Sequence, residues 1–429
     1  MQLVVQRIGA VCLILGLMVI NSTVRASDNG PLLELPSGQE LGIQRFPGSG
    51  KSLLLWLPSE RGFGKAHEQH ARSLAQMGYE VWLADLHDAY FVERNRRSIG
   101  KFPLDDIVTI IDAAVAHSGN GVFLLSSSRG AQLALVAARE WQLQNPGRPR
   151  LKGAFIAHAH LYRARPGIGE MATYLPIVSA TNLPLYLLDA QYSTRSSRTG
   201  ELAAALGVGG SQVFTQVIPA VQGGFFARDN SELSARDQSA KQAYAKTIDR
   251  GLKLMAQVAM PSAAVATDVD TRRFSRIGRR ELSLMSLDNP LAAPALRLQE
   301  YHGNGYRLKQ QAGQVVLINF WASWCKPCVE EIPSLHRLRD RIQDPEFEIV
   351  TVNVGEERDR IAKFLQRVPV RLPLLLDIDR QAAKDWKIYV YPSSYLVDYD
   401  GQIRYAYLGA LEWDSPEIIA IIQSLLKQR

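Results

Sequence analysis

The hydrophobic pattern changes period along this chain and divides it in two. Short apolar runs at residues 79–83, 121–125, 153–157, 183–188 and 213–218 read as buried strands. Between and around them, residues 67–77, 104–117, 130–139 and 232–258 show helical spacing. Residues 41–46 and 52–57 read as a hairpin. Strands alternating with helices predict a mostly parallel, doubly wound sheet. Neither period is sustained over residues 258–290, which hold Pro261, runs of Ala and Ser, and Asn289-Pro290. Alternation then resumes. Strands are expected at 315–321, 347–354, 372–376, 395–398 and 403–408, the last two flanking an Asp400-Gly401 turn. Helices are expected after residue 325, at 357–368 and at 416–426. The chain is therefore α/β, with one domain over 27–257, a linker over 258–290 and a second domain over 291–429.

The first 26 residues have a different character. Arg7 precedes a 13-residue apolar run from Ile8 to Ile20, and Val24-Arg25-Ala26 fits a cleavage site after Ala26. A membrane span needs about 20 apolar residues. This segment reads as a secretory signal peptide, with an uncleaved anchor as the alternative. Export to a bacterial periplasm is the expected location.

Composition changes this picture little. Charged residues make up 21% and hydrophobic residues 46%, which is globular rather than disordered. The formal charge of +7 becomes +5 once Arg7 and Arg25 are removed. Arg272, Arg273, Arg276, Arg279 and Arg280 account for much of the excess. They read as a solvated linker, with an acidic-partner or membrane-surface patch as the alternative. No nucleic-acid motif is present, and the sequence implies no cofactor and no metal.

The chemistry concentrates in Trp324-Cys325-Lys326-Pro327-Cys328. A strand delivering two cysteines, three apart, to a helix N-terminus is a redox arrangement. Unpaired N–H groups and the helix dipole there favour a thiolate on the first cysteine. The chain has three cysteines, and Cys12 lies in the segment expected to be removed. Half a zinc site and a lone structural disulfide are the other readings. Zinc would need two further ligands, and His336 alone does not supply them.

Residues 319–328, Asn-Phe-Trp-Ala-Ser-Trp-Cys-Lys-Pro-Cys, continue into Glu331 and Pro333. With Tyr391-Pro392-Ser393-Ser394-Tyr395-Leu396-Val397-Asp398, this stretch resembles the TlpA/ResA-like family of exported thioredoxin-fold oxidoreductases. The resemblance implies a thioredoxin-like fold, Cys325 as nucleophile and Cys328 as resolving thiol. It implies Pro392 as a cis-proline facing the disulfide, Pro333 as a helix kink and Glu331 as the acid near the cysteines. Asn319 stands where thioredoxin has a buried Asp, which leaves Glu331 as proton acceptor. Trp324, Lys326 and Pro327 would support the site. Read from the pattern alone, Pro392 is equally a strand-edge proline. The family's partners are disulfide-bearing protein substrates and a membrane electron-donor protein.

The first domain resembles an α/β-hydrolase. Ser126-Ser127-Ser128-Arg129-Gly130 matches the nucleophile elbow, with Ser126 for the first glycine and Ser128 as nucleophile. The loop Ser59-Glu60-Arg61-Gly62-Phe63-Gly64 takes the place of an oxyanion donor, and Asp189, after a strand, that of the triad acid. No histidine follows the last strand, where residues 219–225 read Pro-Ala-Val-Gln-Gly-Gly-Phe. Without a base serine is a poor nucleophile, so the triad is degenerate unless His87, His158 or His160 substitutes. Gly48-Ser49-Gly50-Lys51-Ser52 lacks the first glycine of a phosphate loop and reads as the hairpin turn. His67 with His70, and His158 with His160, read as hydrogen-bonded histidines rather than metal ligands.

The expected function is thiol–disulfide exchange, in the direction of reduction, beside a non-catalytic hydrolase-like domain that binds a client or partner. A serine hydrolase with an accessory redox domain is the alternative. A client-holding, chaperone-like protein is another.

Overall fold

The computed structural model of the protein describes residues 29–164, 170–268, 270–274, 284–303, 305–308 and 313–428. The expected signal segment, Arg276, Arg279 and Arg280 lie outside these residues.

The first half builds an eight-stranded sheet from β1 (Asn29–Glu34), β2 (Glu40–Phe46), β3 (Leu53–Trp56), β4 (Glu80–Ala84), β5 (Val122–Ser127), β6 (Leu151–Ala157), β7 (Leu185–Tyr192) and β8 (Val213–Gln222). Its order is β1-β2-β4-β3-β5-β6-β7-β8. β1, β2 and β4 pair antiparallel, and every pair from β4 to β8 is parallel. The helices are α1 (Lys65–Gln76), α2 (Leu86–Ala89), α3 (Leu104–His117), α4 (Gly130–Gln144), α5 (Thr199–Gly207), α6 (Ala235–Gln242) and α7 (Tyr244–Met255).

The alternation of each strand decides which helix it meets. Leu53 and Leu55 of β3 pack on the face covered by α3 and α4, whose Ile107, Ile111 and Leu133 are buried there. Leu54 and Trp56 face the other side, against Leu74 of α1 and Ile248 and Leu252 of α7. A sheet covered on both faces needs apolar strands without alternating polarity, as β3 and β5 have.

Three expectations for this half are corrected. Residues 41–46 and 52–57 are not a hairpin: β4 lies between β2 and β3. The burial patterns explain it, since β2 alternates like a half-exposed strand whereas β3 is buried throughout. The single helix expected over 232–258 is two helices meeting at Ala243. Of α6 only Asp237 is buried, whereas α7 carries an apolar face. Helix α5 was not anticipated, because Gly200 and Gly207 interrupt its pattern.

The second half builds its own sheet, ordered β11-β10-β14-β13-β12-β15-β16-β9. Its strands are β9 (Met285–Ala292), β10 (Arg297–Glu300), β11 (Gly305–Arg307), β12 (Val315–Trp321), β13 (Phe347–Val354), β14 (Leu374–Asp377), β15 (Ser393–Val397) and β16 (Gln402–Leu408). The helices are α8 (Lys326–Arg341), α9 (Arg358–Leu365), α10 (Gln381–Asp385) and α11 (Pro416–Leu426). β12, β13 and β14 run parallel, and β15 pairs antiparallel with both β12 and β16. Strand β9 begins inside the segment expected to be linker and hydrogen-bonds to β16. Leu317 of β12 packs with Leu335 of α8 and Ile422 of α11, and Phe320 faces Trp386 beyond α10. Among the described residues no helix is long and apolar enough to cross a membrane.

Candidate active site

All seven residues of β12 are buried, so its position is fixed by packing on both sides. The chain leaves it through Ala322-Ser323-Trp324 and turns into α8 with Cys325 as N-cap and Pro327 in the first turn. Proline suits that position because its missing N–H has no intrahelical partner there. Cys325 Sγ accepts the Cys328 N–H at 3.3 Å. The two cysteines form a disulfide. Cys325 is 6% exposed and Cys328 fully buried, so what exposure the pair has belongs to the first cysteine. A sulfur that caps a helix N-terminus sits where the local field favours its anion.

Glu331 lies one turn beyond Cys328. Its Oε1 accepts from Asn319 Nδ2 at 2.8 Å, and its Oε2 from Leu411 N and Trp413 Nε1, both at 3.2 Å. Burial lifts its carboxyl to about 7, against the pull of these three bonds. Asn319 also donates to Ser394 Oγ at 2.9 Å, which ties β12 to β15 beneath the acid. Helix α8 runs on through Pro333 to Arg341. Lys326 is 87% exposed and 3.8 Å from Glu330, a surface pair of little energetic weight.

The Tyr391–Pro392 bond is cis and leads directly into β15. Tyr391 meets Trp324 edge to face at 5.6 Å, and both rings pack on the cluster that contains Trp321, Cys325, Cys328 and Ile332. Glu356, which the motif reading did not single out, holds the loop before the cysteines. Its oxygens accept from Ser323 N and Ser323 Oγ, each at 2.6 Å, from Asn353 Nδ2 at 2.9 Å and from Arg360 Nε at 2.5 Å. The only sequence signal for it was an acid just past the end of a buried strand.

The first domain meets the second close to this site. Tyr389 Oη accepts the Ala172 N–H at 2.9 Å, and the Arg198 guanidinium lies 4.8 Å from the Tyr389 ring. Arg380 donates to Ser196 Oγ at 2.6 Å and to the Gln191 carbonyl at 2.7 Å.

In the first domain, Ser59-Glu60 follows β3 and Ser128 follows β5, on either side of the point where strand order reverses. Ser128 has φ +49°, in the left-handed region that a non-glycine residue seldom adopts. A side chain at Gly130 would lie 2.3 Å from both the Pro58 carbonyl and Ser126 Oγ, so only glycine fits. The expected oxyanion loop fills the site instead of opening it. Ser128 Oγ donates to Glu60 Oε1 at 2.9 Å, and the Arg129 N–H donates to Oε2 at 3.1 Å.

None of the three histidines considered as substitutes brings its ring to Ser128 Oγ; His160 meets Ser128 only through its backbone N–H, which donates to the Ser128 carbonyl at 3.0 Å. His87 Nε2 meets Ser98 Oγ at 3.0 Å. His160 has a buried Nδ1 without a partner, and burial together with Arg195 and Arg129 pushes its pKa well below the usual value. His158 pairs with Asp189, Nδ1 to Oδ1 at 2.7 Å, while its Nε2 accepts the Gly224 N–H at 3.0 Å. A backbone N–H can only donate, so the ring proton sits on Nδ1 and the basic nitrogen is already used. Asp189 lies within β7 rather than after it. Burial would raise its pKa, but His158, Ser193 and the Ala190 N–H hold it below the usual range. His67 and His70 bond instead to Gly64 N and the Phe226 carbonyl. No cluster of metal-ligating residues occurs among the described residues.

The AhpC/TSA family matches residues 291–406. Thiol-disulfide oxidoreductase ResA of Geobacillus thermodenitrificans is 32% identical over 119 residues, covering 28% of this chain and 68% of the relative. ResA of Geobacillus kaustophilus is 31% identical over the same shares. Among solved structures, StoA from Bacillus subtilis shares 25% identity, covering 28% of this chain and 92% of its own, with a TM-score of 0.26. The family match, the likeness to the two ResA relatives and the cysteine pair make the protein a thiol–disulfide oxidoreductase with a thioredoxin-like domain. Through that C-terminal domain the chain belongs to the ResA family of thiol-disulfide oxidoreductases.

Proposed function

We propose that this protein is exported to the periplasm and reduces disulfides in client proteins through Cys325 and Cys328. The Cys325 thiolate attacks a client disulfide, one client sulfur leaves as a thiol, and a mixed disulfide forms. Cys328 then attacks Cys325 Sγ, the second client sulfur leaves, and the Cys325–Cys328 disulfide closes. Two electrons pass to the client. Glu331, with its carboxyl near 7, accepts the proton of Cys328. A membrane electron-donor protein would restore the dithiol. The observation that carries this reading is the Cys325–Cys328 disulfide at the N-terminus of α8, with Cys325 the more exposed of the two cysteines.

The first domain is read as a non-catalytic, α/β-hydrolase-like module that holds a client or partner near Cys325 and so raises its effective concentration. The filled Ser128 site supports this over the serine-hydrolase alternative. The deciding experiment is the reduction potential of the Cys325–Cys328 couple in glutathione buffers, together with insulin reduction. A potential near or below about −250 mV supports a reductant, and one near about −120 mV an oxidant. Full exchange activity in Cys325→Ser would remove the reading.

A further inference from the structure

Two side chains of the redox domain reach from the loop that braces the cysteines into the first domain. Arg360, on α9, binds Glu356 through Nε and lays its guanidinium 4.2 Å from the centre of the Tyr192 ring, at the end of β7. Arg380 crosses to the Gln191 carbonyl and Ser196 Oγ. Its guanidinium runs over Gly355, where a Cβ would fall 2.4 Å from Nε; Gly355 has φ +74°. Both tethers therefore converge on residues 355–360 from one side and on residues 191–196 from the other.

Between the tethers sits Glu356, which is wholly buried. One of its oxygens meets the Ser323 N–H and the other the Ser323 hydroxyl, two residues ahead of Cys325. A buried carboxylate needs a counter-charge, and Arg360 is the cation bonded to it. Arg360 is itself held in place by an aromatic face that belongs to the other domain. A cation held over a ring face is attracted to it, so the Tyr192 ring favours the bound position of the guanidinium.

We propose that Tyr192 and Arg360 are positioning residues of the redox site, through which the first domain sets the poise of the Cys325–Cys328 couple. With the ring removed, Arg360 keeps only its bond to Glu356 and its guanidinium can turn toward solvent. The Glu356 carboxylate then faces the Ser323–Cys325 loop without its cationic partner. That field disfavours the Cys325 thiolate and with it the reduced form. The couple becomes more reducing and Cys325 less reactive. This inference rests on Cys325 being the attacking thiol.

The test uses the full chain in three variants: Tyr192→Leu, Arg360→Gln and the double substitution. The equilibrium with glutathione and the rate of Cys325 alkylation by iodoacetamide at pH 7 are read for each. Tyr192→Leu is expected to shift the equilibrium about threefold or more toward the disulfide and to slow alkylation to match, given the strength of such contacts. Tyr192→Phe, which keeps the ring, restores both. In the Arg360→Gln background the Tyr192 substitution adds nothing, because its effect passes through that side chain. An unchanged equilibrium in Tyr192→Leu, or full additivity in the double variant, overturns the inference. If Tyr192→Leu fails to fold, Arg360→Gln decides, and an unchanged equilibrium there overturns it equally. Failure of the exchange reading looks different: it shows as retained activity in Cys325→Ser.

Discussion

Glu60 accepts one hydrogen bond from Ser128 Oγ at 2.9 Å and another from the Arg129 N–H at 3.1 Å. It thereby takes both donors that acyl transfer at Ser128 would require. An oxyanion forming there would meet a carboxylate instead of an N–H, which reverses the sign of the stabilisation that such sites supply.

Ser128 is accordingly expected to be inert. The full chain should hydrolyse no generic ester and take up no fluorophosphonate, and Ser128→Ala should leave disulfide reduction unchanged. Stoichiometric labelling that disappears in Ser128→Ala would restore the hydrolase alternative.

The unequal exposure of the two cysteines separates their roles. Cys328→Ser should keep the attack step and lose resolution, so mixed disulfides with clients accumulate on non-reducing gels. Cys325→Ser should trap none, because Cys328 is fully buried. Equal trapping by the two variants would contradict the assigned order.

How much of this could be read from the sequence depended on whether the signal was local. The strand–cysteine–helix junction was legible because Val315 to Trp321 is one apolar run and the motif opens the helix that follows. The cis bond at Pro392 was reachable only through resemblance, since a proline before an apolar strand has an ordinary explanation as well. Glu60 and Ser128 are far apart in sequence, and nothing local marks the acid as the serine's partner. His158 and Asp189 were each noted but not joined, because their pairing follows from β6 and β7 lying parallel side by side. The hairpin over 41–57 failed for the same reason: the strand inserted between its arms comes later in the chain.

Glu331 supplies a pH signature. Burial raises its carboxyl from the ordinary 4.5 to about 7, so between those values the folded protein binds a proton that the unfolded chain has released. Stability from this group is greatest below pH 4.5 and falls as pH rises toward 7. Its full size is about 3 kcal/mol. Urea unfolding of the redox domain at pH 5 and pH 8 should show a loss in the native chain that Glu331→Gln reduces. The same slope in both proteins would show that the carboxyl titrates normally.

Asp189 serves the first domain as a hub. It accepts from His158 Nδ1 at 2.7 Å, Ser193 Oγ at 2.6 Å, the Ala190 N–H at 2.9 Å and Thr199 Oγ1 at 3.3 Å. Asp189→Ala leaves those buried donors unpaired and should cost roughly 3 kcal/mol or more. Thermal unfolding of the full chain should show the first domain melting earlier. The Cys325–Cys328 disulfide should still turn over below that transition.

Strand β9 determines where the molecule can be cut. Met285 and Ser286 pair with Ala406 and Tyr405, and Leu291 and Ala292 with Ile403 and Gln402. A fragment begun at residue 291, where the family match starts, discards the first of these rungs and bares the outer side of β16 beside Ala406. Unpaired N–H and C=O groups on an apolar strand recruit other chains, so that fragment is expected to self-associate. A fragment that includes Met285 keeps β16 paired along both runs of its contact with β9 and is expected to stay monomeric.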